Sequence, residues 1–169
     1  MTELTGPHPI LIVTTGGTID KLYFDALSEY QIGDSIVGGL LQRGRVTLPC
    51  RIEQLLRKDS LDLTDEDRAL IARTVAAAPE SRVIITHGTD TMTQTAAALA
   101  GIAGKTIVLV GALAPARMSE SDAPFNLGMA LATAQIATPG VWITMNGTVF
   151  RADEVVKDRA KGAFVAKPE

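Results

Sequence analysis

The chain has 169 residues, 46% apolar and 21% charged, which suits one globular domain able to bury roughly 70% of its unfolded surface. A net charge of −3, an isoelectric point of about 5.4, scattered basic residues and only 4% aromatics leave no footprint or stacking platform for nucleic acid. No apolar run approaches the ~20 residues of a membrane span. Two histidines and one cysteine cannot build a conventional zinc site, so neither a membrane nor a metal is expected.

Residues 1–6 show no basic stretch followed by an apolar one, so no secretory leader is expected and the cytoplasm is the expected compartment. Residues 9–15 read as a first strand. The continuous run Ile10-Leu11-Ile12-Val13 suits a parallel strand buried on both faces, and Gly16-Gly17 ends it. Residues 20–33 have no sustained period and carry Tyr23, Phe24 and Tyr30. A stretch of that length is either a lid or binding loop or a surface connection packing its aromatics on the core. Asp34 is placed as the cap of a short helix through Leu41, and residues 45–50 as a second strand. Cys50 is the only cysteine, so it reads as packing rather than chemistry. Thr64 and Asp67 resemble a capping box for a helix over 65–78 that turns Leu70, Ile71, Thr74, Val75 and Ala78 to one side.

Residues 82–86 form a third strand, 91–103 an alanine-rich helix and 106–110 a fourth strand. A loop follows over 113–121. A helix runs over 122–137 with Pro124 in its first turn, where proline is favoured. Residues 141–145 make a fifth strand and 149–156 a further short pair; the tail from 161 shows no clear element. Strands and helices alternate, which predicts an α/β fold: a mainly parallel sheet flanked by helices, with Rossmann-like or flavodoxin-like layering. Ligands of such sheets bind beyond the carboxyl ends of the strands at the topological switch point.

Two polar knots lie at such ends. One is Thr14-Thr15-Gly16-Gly17-Thr18; the other is Thr86-His87-Gly88-Thr89-Asp90-Thr91. Neither is a phosphate loop, a dinucleotide fingerprint or a nucleophile elbow. What remains is threonine, which is a weak nucleophile unless a base takes its proton. Each threonine also has a plain role, capping helices and satisfying turns. Together, two hydroxyl-bearing knots with free helix N–H groups would suit a small anionic substrate.

The segments Thr15-Gly16-Gly17-Thr18-Ile19 and Thr86-His87-Gly88-Thr89-Asp90-Thr91-Met92 resemble the two signature motifs of the bacterial-type L-asparaginase family. The likeness continues through Glu29-Tyr30-Gln31-Ile32-Gly33, Asp59-Ser60-Leu61-Asp62, Val110-Gly111-Ala112, Pro124-Phe125-Asn126-Leu127 and Asn146-Gly147-Thr148-Val149, in order along nearly the whole chain. It implies hydrolysis of L-asparagine to L-aspartate and ammonia without a cofactor. It implies Thr18 as nucleophile, Tyr30 beside it on a mobile loop, and a Thr89–Asp90–Lys157 constellation that activates a hydroxyl or water. Ser60 and Asp90 match positions that grip the α-carboxylate and α-amino group. Gly17, Gly88, Asp59 and Thr89 complete the implied binding set, and backbone N–H groups near Thr89 and Ala112 suit an oxyanion.

Bland readings stand beside these: Lys157 as a surface lysine, Tyr30 as loop packing, His87 as a structural imidazole rather than a base. The match also departs from the family. Residues 1–169 resemble only its first domain, so groups that relatives draw from a second domain have no source here. An open flank is then expected to favour a homodimer or homotetramer. Leu61 replaces a polar residue that helps hold the amino group, which implies weaker binding. Rival readings are a glutaminase or amidotransferase-associated amidohydrolase, and a non-catalytic amino-acid-binding module.

Overall fold

In a computed structural model, residues 9–168 are described; the stretch read for a leader lies outside them. Strand β1 (Ile10–Gly16) is buried along its whole length, as its uninterrupted apolar run requires. A hairpin, β2 (Lys21–Phe24) with β3 (Glu29–Ile32), leads to helix α1 (Val37–Arg43) and strand β4 (Cys50–Lys58). Helix α2 (Asp65–Ala77), β5 (Arg82–Thr86), α3 (Met92–Leu99), β6 (Thr106–Val110) and α4 (Ala123–Ile136) follow. The chain finishes with β7 (Gly140–Met145), β8 (Thr148–Arg151), β9 (Val155–Asp158) and β10 (Ala163–Ala166).

Six strands form one sheet in the order β4-β1-β5-β6-β7-β8. The first five are parallel and only β8 runs against its neighbour. Numbered along the chain, the parallel strands lie 2-1-3-4-5, the flavodoxin-like order, so the switch point falls between β1 and β5. Alternate residues feed opposite layers. Ile10, Ile12, Ile84, Val108 and Val110 face one side with Val37 and Leu40 of α1 and Leu127, Ala130 and Leu131 of α4. Leu11, Val13, Val83, Ile85, Ile107 and Leu109 face the other with Ile71 and Val75 of α2, Met92, Ala96 and Leu99 of α3, and Phe164 of β10.

Five local expectations are corrected. Residues 20–33 are not irregular: they make the β2–β3 hairpin, with Tyr23 opposite Tyr30. Asp34 does not cap α1, whose first turn follows Ile36; its carboxylate pairs with Arg57 at 3.1 Å instead. The second strand begins at Cys50, where it was expected to end, because Arg45 takes φ 52° and Pro49 has no N–H for a ladder. The residues around 149–156 do not pair with each other. β8 returns on β7 through Asn146-Gly147, both at positive φ, a turn chemistry that suits a two-residue hairpin. β9 pairs instead with β10, a strand in the tail read as featureless. The Thr64–Asp67 capping box forms in both directions. Cys50 is half-buried against the α1–α4 layer, and burial pushes its thiol pKa up.

Candidate active site

The two knots meet at the switch point. Thr14 lies opposite Thr86 in the parallel ladder, and Thr86 opposite Val110. The β1–β4 register shifts between Thr14 and Gly16, a bulge of the kind that re-aims side chains at strand ends. Past it, the Thr15 hydroxyl donates to the Thr86 carbonyl at 2.8 Å, and Gly17 N–H donates to Lys58 O at 2.9 Å. Gly17 sits at φ 82° with its α-carbon against the Gly88 backbone, where a Cβ would collide with the Gly88 nitrogen. Only glycine takes that φ and that approach together without strain. Thr18 and Thr89 are therefore each one residue beyond a contact between the two loops. Thr18 is half-buried and opens a short 3-10 turn over Thr18–Asp20.

On the second knot, Thr89 is buried and Asp90 partly exposed. Lys157, on β9, donates to Thr89 Oγ1 at 2.7 Å and to Asp90 Oδ1 at 2.8 Å. β9 is held in place by β10 and by Asn146 Oδ1, which accepts Phe164 N–H at 2.8 Å. Ser60 is buried, and its carbonyl accepts the Thr91 hydroxyl at 2.8 Å. A Cβ on Gly88 would lie 2.6 Å from Ser60 Cβ and Oγ, so the glycine makes room for the serine. The N–H groups of Thr89 and Ala112 donate to no protein acceptor among the described residues.

His87 is fully buried. Its Nδ1 lies 2.7 Å from the Gly88 carbonyl and its Nε2 2.7 Å from Thr95 Oγ1. A carbonyl only accepts, so Nδ1 carries the proton and Nε2 accepts the Thr95 hydroxyl. Burial lowers the pKa to about 4, against the opposing effect of the Gly88 bond. The imidazole is neutral near pH 7 with both nitrogens engaged, and none is left to shuttle a proton.

A family profile described as "Asparaginase, N-terminal" matches residues 9–166. The chain belongs to the asparaginase family. It is 38% identical over 163 residues to a protein named glutaminase-asparaginase from Acinetobacter glutaminasificans, covering 88% of this chain and 49% of that one. It is 33% identical over 159 residues to a probable periplasmic L-asparaginase from Haemophilus influenzae, covering 88% and 46%. Among solved structures, L-asparaginase I from Vibrio cholerae superposes with a TM-score of 0.82 at 29% identity, over 95% of this chain and 52% of that one. The chain thus spans about half the length of the curated relatives it matches.

Within this asparaginase-family site, Gly17, Thr18, Ser60, Gly88, Thr89, Asp90, Ala112 and Lys157 come to one end of the sheet. Two expected residues stand differently. Tyr30 is 49% exposed on the hairpin, edge-on to Tyr23 with ring centroids 5.5 Å apart, and makes no hydrogen bond to Thr18 among the described residues. The Asp59 carboxylate is already engaged, by Leu61 N–H at 3.1 Å and Lys21 at 3.0 Å. Burial would raise its pKa, but those two donors outweigh burial and hold it down.

Three supporting residues had been given no role in the site. Asp122 was read as a helix start, yet its carboxylate accepts Leu113 and Ala114 N–H at 3.0 Å. Asn126 bonds that carboxylate at 2.8 Å and the Gly111 carbonyl at 3.0 Å, fixing the loop that presents Ala112; Asn126 stood inside the family-like segment Pro124-Phe125-Asn126-Leu127 without a role, and the i, i+4 spacing of the pair was the only trace of its bond to Asp122. Arg117 donates to the Asp20 and Asp34 carbonyls, both at 3.2 Å, and ties down the base of the hairpin. Among the described residues no three His, Cys, Asp or Glu side chains cluster as metal ligands, and no helix is long and apolar enough to cross a membrane.

Proposed function

We propose that this chain is an L-asparaginase, hydrolysing the side-chain amide of L-asparagine to L-aspartate and ammonia. The observation that carries the reading is Lys157, bonded to Thr89 and Asp90 from 68 and 67 residues away along the chain. A surface lysine has no need of two such bonds beside a signature motif. In this reading the Thr18 hydroxyl attacks the amide carbon and the N–H groups of Thr89 and Ala112 hold the oxyanion. The Thr18 proton passes to the departing nitrogen as the C–N bond breaks, and water then cleaves the ester to release aspartate. The Thr89–Lys157–Asp90 chain holds and moves the proton of the attacking hydroxyl or water. Ser60 faces the α-carboxylate and Asp90 the α-amino group, with Gly17, Gly88 and Asp59 shaping the floor. Tyr30 joins Thr18 only when the hairpin folds inward.

Ammonia release from asparagine, in wild type and Thr18→Ala, tests this. The variant is expected to lose on the order of a thousandfold or more in turnover, and equal rates would remove Thr18 from the mechanism. A second reading, in which glutamine is also a substrate, draws on the glutaminase-asparaginase name of the Acinetobacter relative; glutamine in the same assay decides it. Self-association into a homodimer or homotetramer belongs to the same proposal and is read by sedimentation velocity. So does cytoplasmic residence, which the periplasmic name of the Haemophilus relative opposes and cell fractionation decides.

A further inference from the structure

Among the described residues, Lys21 and Arg159 also pair with carboxylates of the site. Lys21 is held 3.0 Å from Asp59. Arg159 differs: its guanidinium lies 3.8 Å from Asp90 Oδ1 and its side chain is 71% exposed. The backbone beneath it is fixed. Asp158 accepts the Ala160 and Lys161 N–H groups at 3.0 and 3.1 Å, and Gly162 N–H donates to Arg159 O at 3.4 Å. A held turn thus presents an exposed, loosely paired guanidinium beside the carboxylate assigned to the substrate's ammonium.

An α-amino acid carries its ammonium and carboxylate on one carbon, so the two groups lie about 3 Å apart by covalent geometry. With the ammonium on Asp90, a carboxylate that distance away can be reached by the Arg159 guanidinium, 3.8 Å from Asp90 Oδ1. The zwitterion can bridge the two from alongside, adding two charge-assisted contacts, the stronger kind of hydrogen bond, to one long ion pair. No other side chain here supplies that charge. Lys157 is spent on Thr89 and Asp90, Lys21 on Asp59, and Leu61, 64% exposed, offers no polar atom. Ser60 brings a hydroxyl without a charge.

Resting on the asparaginase reading, we infer that Arg159 is the charged ligand of the substrate's α-carboxylate, selecting free α-amino acids over those whose carboxylate is blocked or peptide-linked. The test compares L-asparagine with its α-methyl ester in wild type, Arg159→Ala and Arg159→Lys, by ammonia release. The alanine variant is expected to raise KM for asparagine on the order of ten- to a hundredfold with kcat within about twofold. The lysine variant falls between. The ester, lacking the charge, shows the same KM in all three. An unchanged KM for asparagine overturns the inference, and so does an equal loss on both substrates, which would mean Arg159 acts only through Asp90. Calorimetric binding of L-aspartate reads the same contact without catalysis. If wild type releases no ammonia the asparaginase reading fails, while aspartate bound about tenfold or more tighter by wild type than by Arg159→Ala still supports the carboxylate contact. Aspartate that binds both alike, or neither, overturns it.

Discussion

The floor of the site and the β2–β3 hairpin beside it are built on opposite terms. The floor is buried and closed by bonds between loops far apart in sequence: Thr15 to the Thr86 carbonyl, Thr91 to the Ser60 carbonyl, His87 to Thr95. The hairpin is closed mainly on itself. Tyr23, Phe24, Leu27 and Tyr30 all stand in solvent, and its ties to the body are at its base, through Gly33 N–H to the Asp20 carbonyl, Lys21 to Asp59, and Arg117. A lone two-stranded hairpin is marginally stable, so this arm belongs to the low-stability end of the molecule. The floor can hold donors aimed at a developing charge with no reorganisation; the arm can move without disturbing it.

Two glycine substitutions would break that contrast if it is wrong. Gly17→Ala places a methyl against the Gly88 backbone at φ 82°, where neither loop can yield. A loss of roughly 3 kcal/mol or more is expected in urea unfolding, with activity abolished. Gly33→Ala, at the base of the arm and at no positive φ, collides with the end of the flexible Leu22 side chain and otherwise meets the Asp20 carbonyl at an ordinary 3.4 Å. That change is expected to cost under about 1 kcal/mol, since Leu22 can rotate away and the unfolded chain loses entropy. Equal costs at the two positions would show that the arm is as tightly built as the floor.

His87 sharpens the same contrast through pH. Its folded pKa of about 4 lies below the ordinary histidine value of 6.5, so between those two the unfolded chain binds more protons. The stability contributed by the neutral, bonded imidazole is complete above about pH 6.5 and is lost as pH falls toward 4. Between pH 7 and 4.5, wild type is expected to lose about 2–3 kcal/mol more than His87→Gln. The comparison with the variant is needed because other groups titrate there. Asp20 runs the opposite way, its pKa raised by burial despite the Ile36 N–H, while Asp67 and Glu80, held down chiefly by Lys58 and Arg51, run the same way as His87. Parallel unfolding curves for the two proteins would mean that the imidazole is charged or solvated in the folded state.

How much of this was legible in the sequence follows burial. β1, β5 and β6 are covered on both faces, so their apolar runs announced them within a residue or two. β4 sits at the sheet edge, and its Arg51, Glu53, Arg57 and Lys58 dilute the pattern that marks a strand. β10 has four residues and a reason to exist only once β9 is present. Knots at two strand ends could be read locally, but their meeting is a property of the 2-1-3-4-5 order. Lys157 could not be placed by any local pattern; only the likeness to a family pointed to it. The Asp122–Asn126 support of Ala112 stayed hidden because an aspartate before a proline-started helix already has an ordinary explanation.

The smallest effect is expected where the arm holds itself together. Tyr23 and Tyr30 face each other across the hairpin, edge-on at an interplanar angle of 64°. Such a pair adds roughly 0.5–1.5 kcal/mol to the element that contains it. If the arm, paired mainly with itself, opens without unfolding the sheet, most of that should not appear in global stability. Tyr23→Ala is expected to shift the unfolding free energy by less than about 0.5 kcal/mol. Amide exchange at residues 21–32 should quicken, while residues 83–86 in β5 exchange as before. Slower turnover with an unchanged midpoint would then report the arm's share in catalysis, since Tyr30 would lose the neighbour that sets its ring. A midpoint lowered as far as by Gly17→Ala would instead place the aromatic pair in the cooperative core, and the arm would have to be treated as part of the floor.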